Sequence, residues 1–133
     1  MRLDAAVVDT SALLAIVGVL PIEAPDVAEM HAAESSLVEA IAVLRSFHEG
    51  RISDVLGDLA LIGPMVFEWV GANRTAGTIA ELAVRHPEEL VTDLASIAAA
   101  KVLRLPLVTG IPDLARLDPD LATVVLPRRR LSE

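Results

Sequence analysis

The sequence predicts a single α/β domain built on a short, mainly parallel sheet. Short apolar segments that suit strands alternate along the 133 residues with segments whose apolar side chains recur at helical spacing. Strands and helices that alternate over one domain length favour a parallel sheet covered by helices on both faces. A chain of this length is expected to form one domain with one core.

The N-terminal part predicts a strand that leads directly into a helix. In the segment VVDTSALL, residues 7–14, two valines suit a buried strand, and the polar residues after them are helix-capping types. The helix is expected to end near Gly18 and to be stopped by Pro21. Residues 21–34 contain two prolines and several acids, and they predict a loop with room for one helical turn.

The middle of the chain predicts helices around one strand. Apolar residues at helical spacing indicate a helix over 36–49, ended by Gly50, and a second helix over 53–62. The segment MVFEWV predicts a short strand, and a helix over about 75–85 follows it.

The C-terminal part predicts one more helix and two strands. A helix is expected from about 93 to 104, followed by the strand PLVT, a short helix around DLARL and a last strand, TVVL. The domain is predicted to cover residues 1–127, and residues 128–133 are predicted to form a basic C-terminal tail.

Composition excludes several kinds of site. The absence of cysteine excludes disulfides and thiolate metal sites, so any metal must be held by oxygen or histidine ligands. Aromatic residues make up 2% of the chain, too few for a surface that stacks bases. A net charge of −8 argues against broad electrostatic attraction to nucleic acid, although it leaves room for a local basic groove.

The sequence predicts a soluble, cytoplasmic protein with no membrane partner. The longest uncharged run, residues 10–22, is too short to span a bilayer. Acidic residues interrupt the apolar N-terminus that a secretory signal would need.

Three carboxylates lie near predicted helix starts, and each has an ordinary structural explanation. Asp9 suits an N-cap, Glu39 would close a capping box with Ser36, and Asp93 lies where the helix dipole favours an acid by about 0.3–1 kcal/mol. Helix starts that border a parallel sheet lie at one edge, so these carboxylates could converge. Clustered carboxylates repel unless they are protonated or bridged by a cation, and Mg²⁺ or Mn²⁺ suits oxygen ligands.

The order and context of these acids resemble the PIN-domain ribonucleases, especially the VapC-like toxins of type II toxin–antitoxin systems. VVDTSALL resembles the family's opening strand, with Asp9 matching its first metal-binding acid and Thr10 and Ser11 its neighbouring hydroxyls. SSLVEAIAVLRSFHEGRIS resembles the helix with the second acid, Glu39. ELVTDLASIAAAKVLRLPLVTGIPDLARL resembles the C-terminal half, with Asp93 as the third acid.

The resemblance departs from the family pattern at one position. The family typically continues Leu-Val-Thr with a small residue and a fourth Asp, whereas this chain has Ile111 there. An isoleucine side chain cannot bind a metal. Asp113 matches an acid often found two residues later and is the candidate substitute. Thr109 is expected to position water or phosphate, or to serve as a strand-end or capping residue.

The resemblance implies a three-layer α/β/α PIN-like fold and an activity. It implies a toxin-like endoribonuclease that hydrolyses single-stranded RNA, with Asp9, Glu39 and Asp93 holding Mg²⁺ or Mn²⁺ and with water as nucleophile. It also implies a homodimer and a cognate antitoxin whose tail inserts a basic side chain into the acidic pocket.

Two other interpretations remain open at the level of sequence. Ile111 favours a catalytically degenerate PIN-like protein that binds an antitoxin or RNA without cleaving it. A small α/β module that binds a nucleotide or effector, with acids that only cap helices, would explain the same residues without any metal.

Overall fold

The computed structural model describes residues 2–130, and within that range it confirms the predicted α/β class. The strands are β1 Leu3–Val8, β2 Val27–Ala33, β3 Val66–Val70, β4 Leu107–Thr109 and β5 Thr123–Val125. The helices are α1 Thr10–Ile16, α2 Glu34–Phe47, α3 Ile52–Ile62, α4 Ala72–Arg85 and α5 Val91–Leu103. Short 3₁₀ helices span Gly63–Met65 and Pro112–Arg116.

The strands form one parallel sheet in the order β3-β2-β1-β4-β5. The chain builds the sheet outward from β1 to β2 and β3, and then crosses to the other side of β1 to add β4 and β5. The strand order therefore reverses between β1 and β4. In open parallel sheets, ligands bind outside the carboxyl ends of the strands at such a switch point.

Helices cover both faces of the sheet and complete three layers. Ala6 and Val8 point into a core shared with α1, α2 and α3, whereas Val7 points into a second core shared with α4 and α5. The second core uses small side chains, because α5 is buried continuously over 94–100 and supplies several alanines there. The fold is thus the predicted α/β/α sandwich.

The predicted loop over 21–34 is wrong, because its second half forms β2. Only Val27 in the segment VAEMHAA is β-branched, and two prolines precede it, so local propensity gives little sign of a strand. The neighbouring strands supply the stabilisation: β2 lies between β1 and β3. The polar side chain of His31 is satisfied there by Glu29 and Glu68, each at 2.8 Å.

The predicted capping box at Ser36 and Glu39 is also wrong. The helix α2 begins at Glu34 directly after β2, and Ala33 is its N-cap without a side-chain hydrogen bond. Ser36 and Glu39 therefore lie inside the helix, where their side chains are free to contact α5. The other predicted helices and strands are present, with ends displaced by a few residues.

The beginning of the predicted basic tail is held against the domain. Arg128 forms an antiparallel bridge with Ile22, and the Arg129 N–H donates to the Pro21 carbonyl at 2.9 Å. Residues 131–133 of the predicted tail lie outside the described residues. Among the helices of residues 2–130, none is long and apolar enough to cross a membrane.

Candidate active site

Asp9 lies at the carboxyl end of β1, beside the switch point, and its side chain is almost completely buried. As predicted, it caps α1: Asp9 Oδ1 accepts a hydrogen bond from the Ala12 N–H at 3.0 Å. The Asp9 N–H in turn donates to the Val108 carbonyl of β4 at 3.2 Å. The residue is thus fixed to β1 and β4, the two strands that border the switch point; the region outside their carboxyl ends is called here the crevice.

Two hydroxyls hold the Asp9 carboxylate in place. Ser11 Oγ donates to Oδ1 at 2.6 Å, and Thr109 Oγ1 donates to Oδ2 at 2.5 Å. Each hydroxyl has one proton, so both protons are used on Asp9 and each oxygen accepts elsewhere. Ser11 accepts from the Gly110 N–H at 2.7 Å, and Thr109 accepts from the Ile111 N–H at 3.0 Å. These residues, 9, 11 and 109–111, form one connected group, called here the Asp9 network.

Glu39 belongs to α2 and Asp93 to α5, and the two helices pack against each other. Thr92 Oγ1 donates to Glu39 Oε2 at 2.8 Å. The buried Ser36 and Ser96 hydroxyls contact each other at 3.3 Å and join the same two helices. Glu39 therefore lies next to the first turn of α5, where Asp93 is located.

The three carboxylates share one electrostatic environment. Burial raises the pKa of Asp93 to about 6, and the charges of Glu39 and Asp9 add to the increase. Burial likewise raises the pKa of Asp9 above its ordinary value, against the opposing effect of its hydrogen bonds, and Glu39 contributes to the increase. Negative charge is therefore costly in this crevice, and a bound cation would lower that cost.

The donor set fits a hard divalent cation in its chemistry. Carboxylate and hydroxyl oxygens suit Mg²⁺ or Mn²⁺, and the mutual effect on pKa values is what a cation between the acids would relieve. In their present conformations, however, no three acid or histidine side chains within residues 2–130 are grouped closely enough to hold an ion between them. Asp9 and Glu39 instead accept hydrogen bonds from hydroxyls.

Comparison with known proteins gives matches to solved structures and no match to a family model or a curated protein. No protein-family model matches the chain, and no curated protein matches it. The structure of PAE2754 from Pyrobaculum aerophilum aligns with a TM-score of 0.63 at 19% identity, covering 93% of this chain and 92% of that one. A member of the VapBC family of toxin–antitoxin systems, VapBC-5 from Mycobacterium tuberculosis, aligns with a TM-score of 0.60 at 23% identity, covering 92% and 98%.

The chain has a PIN-like fold. The alignments extend over nearly the whole chain, as the order of motifs in the sequence predicts. In this PIN-like domain, Asp9 follows β1 directly at the point where the strand order reverses, and Glu39 and Asp93 belong to α2 and α5.

The other predicted site residues of the PIN-like domain, Thr10, Ile111 and Asp113, differ in their burial and in their contacts with the Asp9 network. Thr10 is the first residue of α1 and is half-buried. Ile111 is 39% exposed, and only its backbone N–H joins the Asp9 network. The Asp113 side chain is 79% exposed and accepts from Arg116 at 2.8 Å, and no hydrogen bond or ion pair in the described part of the chain joins it to the Asp9 network.

Sequence reasoning missed two residues that shape the crevice. The Thr92 hydroxyl donates a hydrogen bond to Glu39. In the sequence, the sign that Thr92 contributes to the site is its position next to Asp93. Gly110 is needed for close packing, because a Cβ there would overlap the Ile22 Cδ1 atom and approach Ser11 Oγ. Nothing in the local sequence indicates that the loop after α1 contacts this turn.

Proposed function

We propose that this PIN-like domain is a toxin-like endoribonuclease that hydrolyses phosphodiester bonds of single-stranded RNA. Asp9, Glu39 and Asp93 would hold Mg²⁺ or Mn²⁺ for that reaction. The observation that carries the proposal is the increase of the pKa of Asp93 to about 6, to which Glu39 and Asp9 contribute, beside the switch point of a parallel sheet. Acids that raise one another's pKa values beside a switch point suit cation-dependent chemistry better than three separate caps do.

The residues of the chain have distinct parts in this reaction. Ser11 and Thr109 orient the Asp9 carboxylate, and Thr92 orients that of Glu39. Held by Asp9, Glu39 and Asp93, Mg²⁺ or Mn²⁺ would lower the pKa of a water and offset charge on the phosphodiester. Asp93 has to lose its proton to serve as a ligand, so cation binding at this residue is expected to strengthen as the pH rises through about 6.

Cleavage of a labelled single-stranded RNA, measured against Mg²⁺ and Mn²⁺ concentration, tests the proposal. The Asp9→Asn variant keeps the volume of the side chain but loses its charge, and we expect its rate to fall by at least about a hundredfold. Asp4→Asn is the matched control, because Asp4 is an exposed acid in the other half of β1. Equal rates for Asp9→Asn and Asp4→Asn would contradict the proposal.

A second function, RNA or antitoxin binding without cleavage, is favoured by one observation. Ile111 has no side-chain atom that could bind a metal at the turn after β4. The PIN-domain ribonucleases that the sequence resembles typically have a fourth acid at this position. On this alternative, Ile111→Asp should raise both cation affinity and the rate of RNA cleavage. A variant that binds and cuts as the wild type does would show that this position does not limit activity.

We further propose a cytoplasmic homodimer with a cognate antitoxin as partner. Several large apolar side chains are more than half exposed, among them Val38, Phe47, Ile52, Leu56, Leu61 and Phe67. Ile52 and Leu56 are four residues apart in α3 and so share one face of that helix, and a contiguous apolar face is what a contact with another protein would cover. Sedimentation of the purified protein tests the dimer. Co-expression with the neighbouring reading frame tests the partner: a stable complex that suppresses RNA cleavage is expected, and free, active protein would argue against it.

A further inference from the structure

We propose that Arg128 binds a phosphate of the RNA backbone in a cavity that adjoins the Asp9 network. The inference rests on the proposed RNA substrate. It adds a positioning residue from the segment that the sequence predicts to be a separate basic tail.

Main-chain hydrogen bonds place Arg128, independently of its side chain. Arg128 bridges to Ile22 in the loop after α1. On either side of this bridge, the Glu23 N–H donates to the Pro127 carbonyl and the Arg129 N–H donates to the Pro21 carbonyl, both at 2.9 Å. The position of Arg128 is thus fixed by the fold, and a substitution of its side chain should leave the backbone pairing intact.

The cavity beside Arg128 has a volume of about 330 Å³ and adjoins the Asp9 network. Ser11 and Gly110 form part of its wall, and both belong to the Asp9 network. Ile22 and Ile111 supply apolar wall. Because Gly110 has no side chain, Ile22 packs directly on the turn after β4, and this contact brings the strand-like segment with Arg128 to the crevice.

The charge of Arg128 complements a phosphate at this position. No carboxylate among residues 2–130 forms an ion pair with Arg128, so within that range no acid competes with a phosphate for its charge. A guanidinium presents parallel N–H donors that match two phosphate oxygens, and apolar walls strengthen such a contact. The acidic crevice and the net charge of −8 repel a polyanion, so a cation beside the crevice is what RNA needs to approach it.

The test is binding of a fluorescent single-stranded RNA, measured by anisotropy in EDTA over a series of salt concentrations. One phosphate contact contributes about 0.7 to the slope of log K against log salt for a single strand. We expect Arg128→Gln to reduce the slope by about that amount and to weaken binding about tenfold at low salt. Arg128→Lys should keep the slope, because it keeps the charge.

Arg45→Gln is the matched control, since it removes the same charge from the last turn of α2, at the far end of the helix from Glu34. Its slope should equal that of the wild type. Inorganic phosphate serves as a competitor that separates a single-phosphate site from RNA binding. We expect inorganic phosphate to displace RNA only weakly from the wild type. If phosphate binds more tightly than RNA and displaces it completely, the assignment of the site to RNA is overturned.

The remaining outcomes separate this inference from the proposed function. An unchanged slope for Arg128→Gln, with a wild type that cuts RNA, overturns the inference and leaves the ribonuclease proposal standing. A reduced slope with a wild type that does not cut supports the inference and contradicts catalysis. A wild type that does not bind RNA overturns both.

Discussion

Thr109 links the end of β4 to Asp9, and its hydroxyl has two partners in a fully buried position. Thr109→Val removes the donor to Asp9 and the acceptor for the Ile111 N–H. Two polar groups then lose their partner, so we expect the free energy of unfolding to fall by about 2 kcal/mol. The pKa of Asp9 should rise further, because this hydrogen bond lowers it. Denaturant unfolding measures the first effect.

Thr109→Ser separates the contribution of the hydroxyl to stability from that of the methyl group. It keeps both hydrogen bonds and loses only one buried methyl, so its loss of stability is expected to be the smaller one, about 1 kcal/mol. Equal losses in the valine and serine variants would show that packing, and not the hydroxyl, explains the effect.

Asp93 makes the stability of the fold depend on pH. Its pKa is raised from 3.8 to about 6, first by burial and then by neighbouring acids, so the folded state holds the proton more tightly than the unfolded state does. The contribution of Asp93 is therefore fully present below the unfolded value and is lost as the pH rises through about 6. In EDTA, Asp93→Asn should be more stable than the wild type at about pH 8, by about 1 kcal/mol after allowance for partial exposure.

Thermal unfolding of both proteins across this pH range checks the prediction. The difference between Asp93→Asn and the wild type should disappear as the pH falls below 3.8, where the wild-type carboxyl becomes protonated in both the folded and the unfolded state. Parallel pH profiles would mean that Asp93 is not perturbed by its neighbours.

The location of Asp9 between a strand and a helix was predictable from sequence, and its long-range hydrogen bonds were not. The position of Asp9 can be predicted from the neighbouring residues, because a capping residue directly after an apolar strand is a short-range signal. Its bond with Thr109 joins positions 100 residues apart and depends on the pairing of β1 with β4. The capping box at Ser36 failed for a related reason: β2 runs straight into α2, so the helix begins before the motif.

The helix α5 depends on small side chains for its close approach to the sheet. Ala98, Ala99 and Ala100 have no exposed surface and lie in the core under β1 and β4. Ala99→Leu would add volume where none is free, and we expect a loss of about 1–3 kcal/mol in the free energy of unfolding. Val102→Leu is the control, since Val102 is 38% exposed and can absorb the change. Equal thermal shifts for the two variants would contradict tight packing of α5.

The alternation of strands and helices was readable from sequence, except at β2. Helix and strand signals are local, and β1, β3 and β4 are short apolar runs. β2 carries Glu29 and His31, and its residues suit a strand only because β1 pairs with it in register, Ala5 with Glu29 and Val7 with His31. Tertiary pairing overrides weak local preference there.

For the molecule as a whole, a divalent cation that binds only the folded state should raise the melting temperature. At a concentration about one hundred times the dissociation constant, one site adds about 2.7 kcal/mol. We expect Mg²⁺ or Mn²⁺ to stabilise the wild type and Asp4→Asn, and to have little effect on Asp9→Asn. Differential scanning fluorimetry in EDTA and with added cation makes the measurement. Identical shifts for all three proteins would favour acids that only cap helices.

The strand order was beyond what the sequence could specify, although the class of fold was predictable. Composition and periodicity indicate parallel strands between helices, but several orders bury the same residues equally well. The crossing from β3 to the far side of β1 decides that Asp9 and Thr109 meet at one crevice.

The distance along the chain between Asp9 and Thr109 has a consequence during protein synthesis. A polypeptide still emerging from the ribosome exposes its first acid early, but the partner that orients it is translated a hundred residues later. Every truncated product that stops before β4 lacks the assembled crevice. The Asp9 network can therefore form only after nearly all of the described domain has been synthesised.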